Sequence, residues 1–157
     1  MPVSEDSPGI YIPPPLIYAA IFFISILFQH TWPLDTSFFH TQTAIIIGII
    51  FIVATVLVNI TAIRQFVRSK NTIVTIKPAH SLQTTGIYSR TRNPMYLGLV
   101  LLYTGLAFLT GNWWTLILLP LLVMLVGYFI IRREEKYLER RFGKPYLDYR
   151  NKVRRWI

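Results

Sequence analysis

Two stretches of this 157-residue chain hold the side chains best suited to chemistry. One is the polar, basic segment His80–Tyr96 (HSLQTTGIYSRTRNPMY), and the other is the pair Glu134 and Glu135, set between Arg133 and Lys136. Asn93 and Pro94 form a helix start, because Asn is a good N-cap and Pro at the first helical position gives up only a donor with no helical partner. A helix start presents N–H groups and a partial positive charge that suit a carboxylate, while a glutamate suits an ammonium group. Brought together, Asn93, Tyr96, Glu134 and Glu135 would fit a zwitterionic amino acid head group. Taken alone, the two glutamates read more simply as solvated partners of their basic neighbours, since surface ion pairs are common and weak.

A helical hairpin is what brings them together. The run PMYLGLVLLYTGLAFL predicts a helix from Pro94 to about Leu109. Thr110, Gly111 and Asn112 then form a tight turn, Trp113 and Trp114 mark an interface, and LILLPLLVMLVGYFII returns, with a kink expected at Pro120. So short a turn forces an antiparallel pair, and the residues just before Pro94 and just after Ile131 emerge side by side. Gly98 and Gly105, seven apart, share one face where a neighbouring helix can approach closely.

The composition is 53% hydrophobic and 15% aromatic, with a mean hydropathy of +0.45. That is too apolar for a soluble domain of this size and indicates a multi-pass membrane protein. The absence of cysteine excludes disulfides and thiolate metal sites and leaves the redox compartment unread. A net charge of +9 spread over a soluble surface would suggest nucleic acid, but no Lys or Arg precedes Arg64. The basic residues fall in two blocks, Arg64–Arg92 and Arg132–Arg155, each flanking apolar runs, and the positive-inside rule places both on the cytoplasmic side. The start MPVSEDSPGI lacks the basic region and cleavage site of a cleavable signal peptide.

The expected fold class is therefore an all-α integral membrane protein, a single membrane domain over residues 1–157. It has about four transmembrane helices, a C-terminal helical hairpin and amphipathic cytoplasmic tail helices. Residues 1–15 read as an irregular lead-in because of Pro13, Pro14 and Pro15. Residues 16–63 read as a two-helix anchor, with helices at Leu16–Phe28 and Ala44–Ile63. Between them, 29–43 reads as an outward loop, and His30 and His40, ten apart, read as solvated side chains; no metal site is expected. Asn59 predicts an interhelical hydrogen bond. TIVTIKP suggests a short extended segment, and His80–Asn93 an ordered loop or short helix with Gly86 at a turn. From Arg132 onward the tail is amphipathic through Tyr137, Leu138, Phe142, Leu147, Val153 and Trp156. It breaks at Gly143 and Pro145 into two short helices that would lie on the membrane and bind anionic lipid.

His80, Leu82, Gly86, Tyr88, Arg92, Asn93, Pro94 and Tyr96, followed by Glu134, Glu135, Leu138, Phe142, Gly143, Tyr146 and Tyr149, resemble a known pattern in type and spacing. It is that of the isoprenylcysteine carboxyl methyltransferase and phospholipid methyltransferase superfamily of integral membrane enzymes. The resemblance covers residues 77–154 and implies that this part is a cofactor-binding methyltransferase core. It implies S-adenosylmethionine as cofactor, held at the cytoplasmic face by the loop, the helix start and the glutamates, with the following segment closing over it. The cofactor contacts it implies are His80, Leu82, Gln83, Tyr88, Asn93, Pro94, Met95, Tyr96, Glu134 and Glu135. The catalytic set is Arg92, Asn93, Tyr96, Arg133 and Glu135, with Arg92 or Arg133 orienting an anionic substrate head.

One departure stands out. Where the carboxyl methyltransferases have Arg-His-Pro, this chain has Arg92-Asn93-Pro94, and an amide cannot serve as a general base. Methyl transfer from a sulfonium is an in-line displacement in which the protein supplies alignment and excludes water. A carboxylate or thiolate acceptor needs no base, whereas an amine does, and His80, the glutamates and Tyr96 are the candidates. The expected activity is methylation of a lipid-like or small amphipathic acceptor, with the bilayer as partner and neither nucleic acid nor metal involved. Two alternatives stand beside it. An NADPH-dependent relative of the sterol reductases would need more helices than this chain supplies, and a non-catalytic membrane protein that kept the fold would account for Asn93.

Overall fold

The computed structural model describes residues 9, 12–68 and 81–157. Among these residues the regular elements are all helical. They are α1 (Pro14–Thr31), α2 (Gln42–Arg68), α3 (Pro94–Thr110), α4 (Trp113–Val126), α5 (Arg132–Phe142) and α6 (Lys144–Lys152), with single 3₁₀ turns at Ser37–His40 and Gly86–Ser89. α1, α2 and the continuous stretch Trp113–Phe142 are long and apolar enough to cross a membrane. α3 is apolar over 17 residues and rises about 26 Å, close to the hydrocarbon thickness of a bilayer. The chain is an all-α integral membrane protein.

Helix ends extend beyond the expected apolar runs. Pro14 and Pro15 sit in the first turn of α1, where a missing donor costs nothing, so the helix begins ahead of Leu16 and runs past Phe28 to Thr31. α2 likewise carries on past Ile63 to Arg68, because a change from apolar to basic side chains does not end a helix. The proposed extended segment at 71–77 and most of the lead-in lie outside the described residues.

α3 packs chiefly against α2, and α4 against α1. Small residues bring α2 and α3 together. A Cβ on Gly105 would lie 3.2 Å from the Gly48 carbonyl oxygen and 2.9 Å from the Ile52 Cδ1, and a Cβ on Gly98 would collide with the Asn59 amide. Among the described residues Asn59 makes no interhelical hydrogen bond of the expected kind: its Nδ2 donates to the Thr55 carbonyl one turn back in α2, at 3.0 Å. The core between the helices holds Tyr18, Tyr96, Tyr103, Leu122, Val126, Ile130 and Ile131.

The end of the bundle at the α3–α4 turn is closed by buried polar contacts. Gly111 turns the chain at φ 66° and Asn112 caps α4, its Oδ1 accepting from the Thr115 amide at 3.4 Å. Ser25 of α1 meets the Thr115 hydroxyl at 2.7 Å and the Asn112 amide at 3.3 Å. The Trp113 and Trp114 indoles donate to the Asp35 and Trp32 carbonyls and hold the α1–α2 connection. His40 faces Thr36, and no group of three potential metal ligands occurs among the described residues.

At the opposite end α4 does not stop. A π turn at Gly127–Ile131 keeps right-handed helical backbone and passes directly into α5, so the first tail helix is a continuation of α4. The break comes at Gly143, whose φ of 57° and ψ of −129° turn the chain into α6, with Pro145 in its first turn. This places the ends of α2 and α4 and the start of α3 at one basic end.

Candidate functional site

The hairpin brings together the two stretches singled out from the sequence. α3 begins at Pro94, as its Asn-Pro start predicts, and Asn93 occupies the cap position. From the first turn of α3 the buried Tyr96 reaches across to α5, where its hydroxyl donates to Glu134 Oε2 at 2.8 Å. One residue on, Glu135 is held between two arginines. Arg92 lies 3.2 Å from Oε1, while Arg155 donates through Nε to Oε1 at 3.0 Å and through an Nη to Oε2 at 2.5 Å. The side chains of Arg92 and Glu135 are 11% and 13% exposed, so these two form a largely desolvated pair, with the more exposed Arg155 guanidinium on its outer side. The hydrogen bonds to Glu135 hold the Arg155 guanidinium above its ordinary pKa.

The two neighbouring carboxylates are therefore unlike. Glu135 is neutralised by both arginines, while Glu134 has Tyr96 as its hydrogen-bond partner among the described residues. Glu134 is thus the carboxylate of the pair that no arginine among the described residues already holds. Arg92 adds a donor: its buried Nε–H has no partner among the described residues. A buried donor without an acceptor is costly, so this atom is open to an oxygen acceptor.

Asn93 does not cap α3 with its side chain. Its Nδ2 donates to the Arg155 carbonyl at 3.0 Å. The Thr91 hydroxyl donates to the same carbonyl at 3.2 Å, and the Arg92 amide donates to the Arg154 carbonyl at 3.0 Å. Residues 153–157 therefore lie as a strap across the segment that leads into α3. α6 supports it. Tyr149 donates to the Tyr88 carbonyl at 2.7 Å, and Tyr146 stands 3.5 Å from an Arg92 Nη. Burial, aided by Glu135, pushes the Tyr146 phenol up to about 12, and burial likewise raises Tyr88 and Tyr149, so all three stay neutral at physiological pH.

The remaining residues named from the sequence are distributed around this centre. Tyr88 is buried in the 3₁₀ turn that follows from Gly86 at φ 61°, its ring 5.6 Å from that of Phe66. Leu82 and Gln83 are half-buried on the approach, with Gln83 donating to Ser81. Pro94 is buried and Met95 half-buried in the first turn of α3. His80 lies outside the described residues. Arg133 turns to the Gly9 carbonyl instead, at 3.1 Å. Arg155 and Thr91 were not singled out from the sequence. Arg155 is one of two adjacent arginines in a basic tail, and no local signal separates it from Arg154.

Comparison with known proteins covers much of this frame. A family model described as phospholipid methyltransferase matches residues 43–145, from α2 to the start of α6. An uncharacterized protein of Haemophilus influenzae is 38% identical over 63 residues, 40% of this chain and the whole of that protein. The protein-S-isoprenylcysteine O-methyltransferases of Schizosaccharomyces pombe and Saccharomyces cerevisiae are each 38% identical over 74 residues, 47% of this chain. The chain spans 31% of the length of each of these two yeast proteins. No solved structure matches it significantly.

Proposed function

The chain belongs to the phospholipid methyltransferase family, and from that premise we propose that it transfers a methyl group from S-adenosylmethionine to an amphipathic acceptor at the cytoplasmic face of a membrane. The observation that carries this reading is the asymmetry of the glutamate pair, with Glu135 locked between Arg92 and Arg155 and Glu134 held by Tyr96 alone among the described residues.

The residues present fit the cofactor. Its amino acid part carries an ammonium and a carboxylate. Glu134 would hold the ammonium, and the carboxylate would meet the start of α3, which has no side-chain cap, and the unpartnered Nε–H of Arg92. When bound, S-adenosylmethionine supplies an electrophilic methyl on a sulfonium. The protein aligns and shields. Tyr96 fixes the rotamer of Glu134, the Arg92–Glu135–Arg155 cluster fixes the approach to α3, and the strap with Tyr146 and Tyr149 keeps water from one side. Asn93 is occupied by the Arg155 carbonyl and takes no proton. A carboxylate or thiolate acceptor fits such a site without further help, whereas an amine would have to lose its proton to a base other than Glu134, such as His80.

The cytoplasmic placement rests on charge. Arg64 and Arg68 at the end of α2, and the cluster around Glu135, stand at the same end of the bundle as the basic tail, and the positive-inside rule assigns that end to the cytoplasm. A site at this end of the bundle would lie at the bilayer edge, where a lipid-like acceptor could present its head while its chain stays in the membrane.

Calorimetry of S-adenosylmethionine binding to the full chain in detergent tests the reading. Wild type should bind, Glu134→Ala should abolish binding, and Tyr96→Phe should weaken it roughly fivefold to tenfold, about the net worth of one hydrogen bond. Absence of binding to wild type overturns the proposal. Mass spectrometry of lipids from cells with and without the protein then identifies the acceptor.

A further inference from the structure

Where the π turn passes into α5, a groove of ≈520 Å³ opens beside the helix. Val123, Met124, Gly127 and Trp156 line it, with Tyr128, Arg132 and Arg155 toward the basic end. Its apolar part faces outward from the bundle: Met124 is 62% exposed and Tyr128 59%, which in a membrane helix means exposed to lipid. A Cβ built on Gly127 meets nothing within 4 Å, so the helix surface is open there and a bulky side chain would project into the groove.

The polar end is cationic with donors to spare. Arg132 lies over the Tyr128 ring at 5.6 Å, and among the described residues no carboxylate pairs with it. Arg155 gives two of its five N–H donors to Glu135, yet its side chain remains 39% exposed. Two guanidiniums at the membrane boundary, above an apolar channel, suit a phosphate by charge and by their forked geometry.

We propose that this groove binds one anionic phospholipid, with an acyl chain along Val123, Met124 and the open face of Gly127 and its phosphate between Arg132 and Arg155. Its lining includes neither Glu134 nor Tyr96. It does touch the cluster through Arg155. A lipid phosphate on the outer N–H groups of Arg155 holds the strap from outside while Glu135 holds it from inside, so lipid composition would reach the Arg92–Glu135 pair.

Native mass spectrometry of the full chain, released from detergent containing phosphatidylglycerol or phosphatidylcholine of matched chain length, tests the proposal. One phosphatidylglycerol should be retained and phosphatidylcholine lost. Arg132→Gln should cut retention about fivefold, corresponding to about 1 kcal/mol for one arginine at a lipid surface. Gly127→Leu should abolish retention with helical content unchanged, and free glycerol phosphate should not displace the lipid. Equal retention of the two lipids overturns the proposal, as does displacement by glycerol phosphate, which would mark a simple anion site. Retention of phosphatidylglycerol by a folded Gly127→Leu overturns it as well. Should that variant fail to fold, Arg132→Gln decides alone, because an exposed arginine can be replaced without disturbing the bundle, and unchanged retention there overturns the proposal.

Discussion

Glu135 and Glu134 are adjacent in sequence and opposite in circumstance. Replacing Glu135 by Gln leaves Arg92, 11% exposed, without its counter-charge, and an unpaired charge at that burial costs on the order of 3 kcal/mol. Arg155→Gln removes a partner that is 39% exposed and leaves Glu135 still paired with Arg92, so its cost should be about 1 kcal/mol or less. Thermal unfolding in detergent should therefore place the midpoint of Glu135→Gln clearly below that of Arg155→Gln, and the reverse order would contradict the assignment of Arg92–Glu135 as the buried pair. Asn93 belongs to the same scale. Its residue type predicts a cap, and the start of α3 falls where that predicts, but the amide is drawn to the Arg155 carbonyl, 62 residues later. Helix starts are written in local residue types, whereas a partner across so long a separation leaves no trace in the spacing.

At the scale of elements, the membrane helices were legible because an apolar run of bilayer length has few other solutions. The continuity of α4 into α5 was not. A sharp onset of charge at Arg132 reads as an exit and a new element, yet Arg, Glu, Lys and Leu are all good helix formers, and only Gly143 with its positive φ ends the run. That continuity is what fixes Glu134 and Glu135 relative to α3. The α2–α3 seam positions the other half of the site, and it rests on close backbone approach. Gly98→Ala should destabilise the fold by about 1–3 kcal/mol, the usual cost of overpacking, because its methyl meets the Asn59 amide. Asn59→Ala in the same chain should relieve most of that cost. A double-mutant cycle by thermal unfolding reads the coupling, and additive losses would show that the contact is not what limits the approach.

For the whole molecule, the site is assembled from three places: the segment entering α3, the extension of α4, and the strap at 153–157. The family match ends at residue 145, so the strap lies beyond the matched region, although it contributes carbonyls to Thr91, Arg92 and Asn93 and a guanidinium to Glu135. Deleting residues 153–157 should leave helical content by circular dichroism nearly unchanged, because no helix is removed. It should weaken S-adenosylmethionine binding by at least roughly tenfold, or about 1.4 kcal/mol; undiminished affinity would show that the strap serves only to anchor the tail.

The strap also bears on how the protein is made. The ribosome adds Arg154 and Arg155 only after α1 to α6 have been translated, and their carbonyls are what Thr91, Arg92 and Asn93 wait for. During biosynthesis the helices can therefore enter the bilayer with the entrance to α3 still open, and the site gains its final shape only once Arg154 and Arg155 have met residues 91–93. A chain halted after α6 would be inserted and helical yet unfinished, so the order of synthesis itself separates membrane integration from the onset of binding.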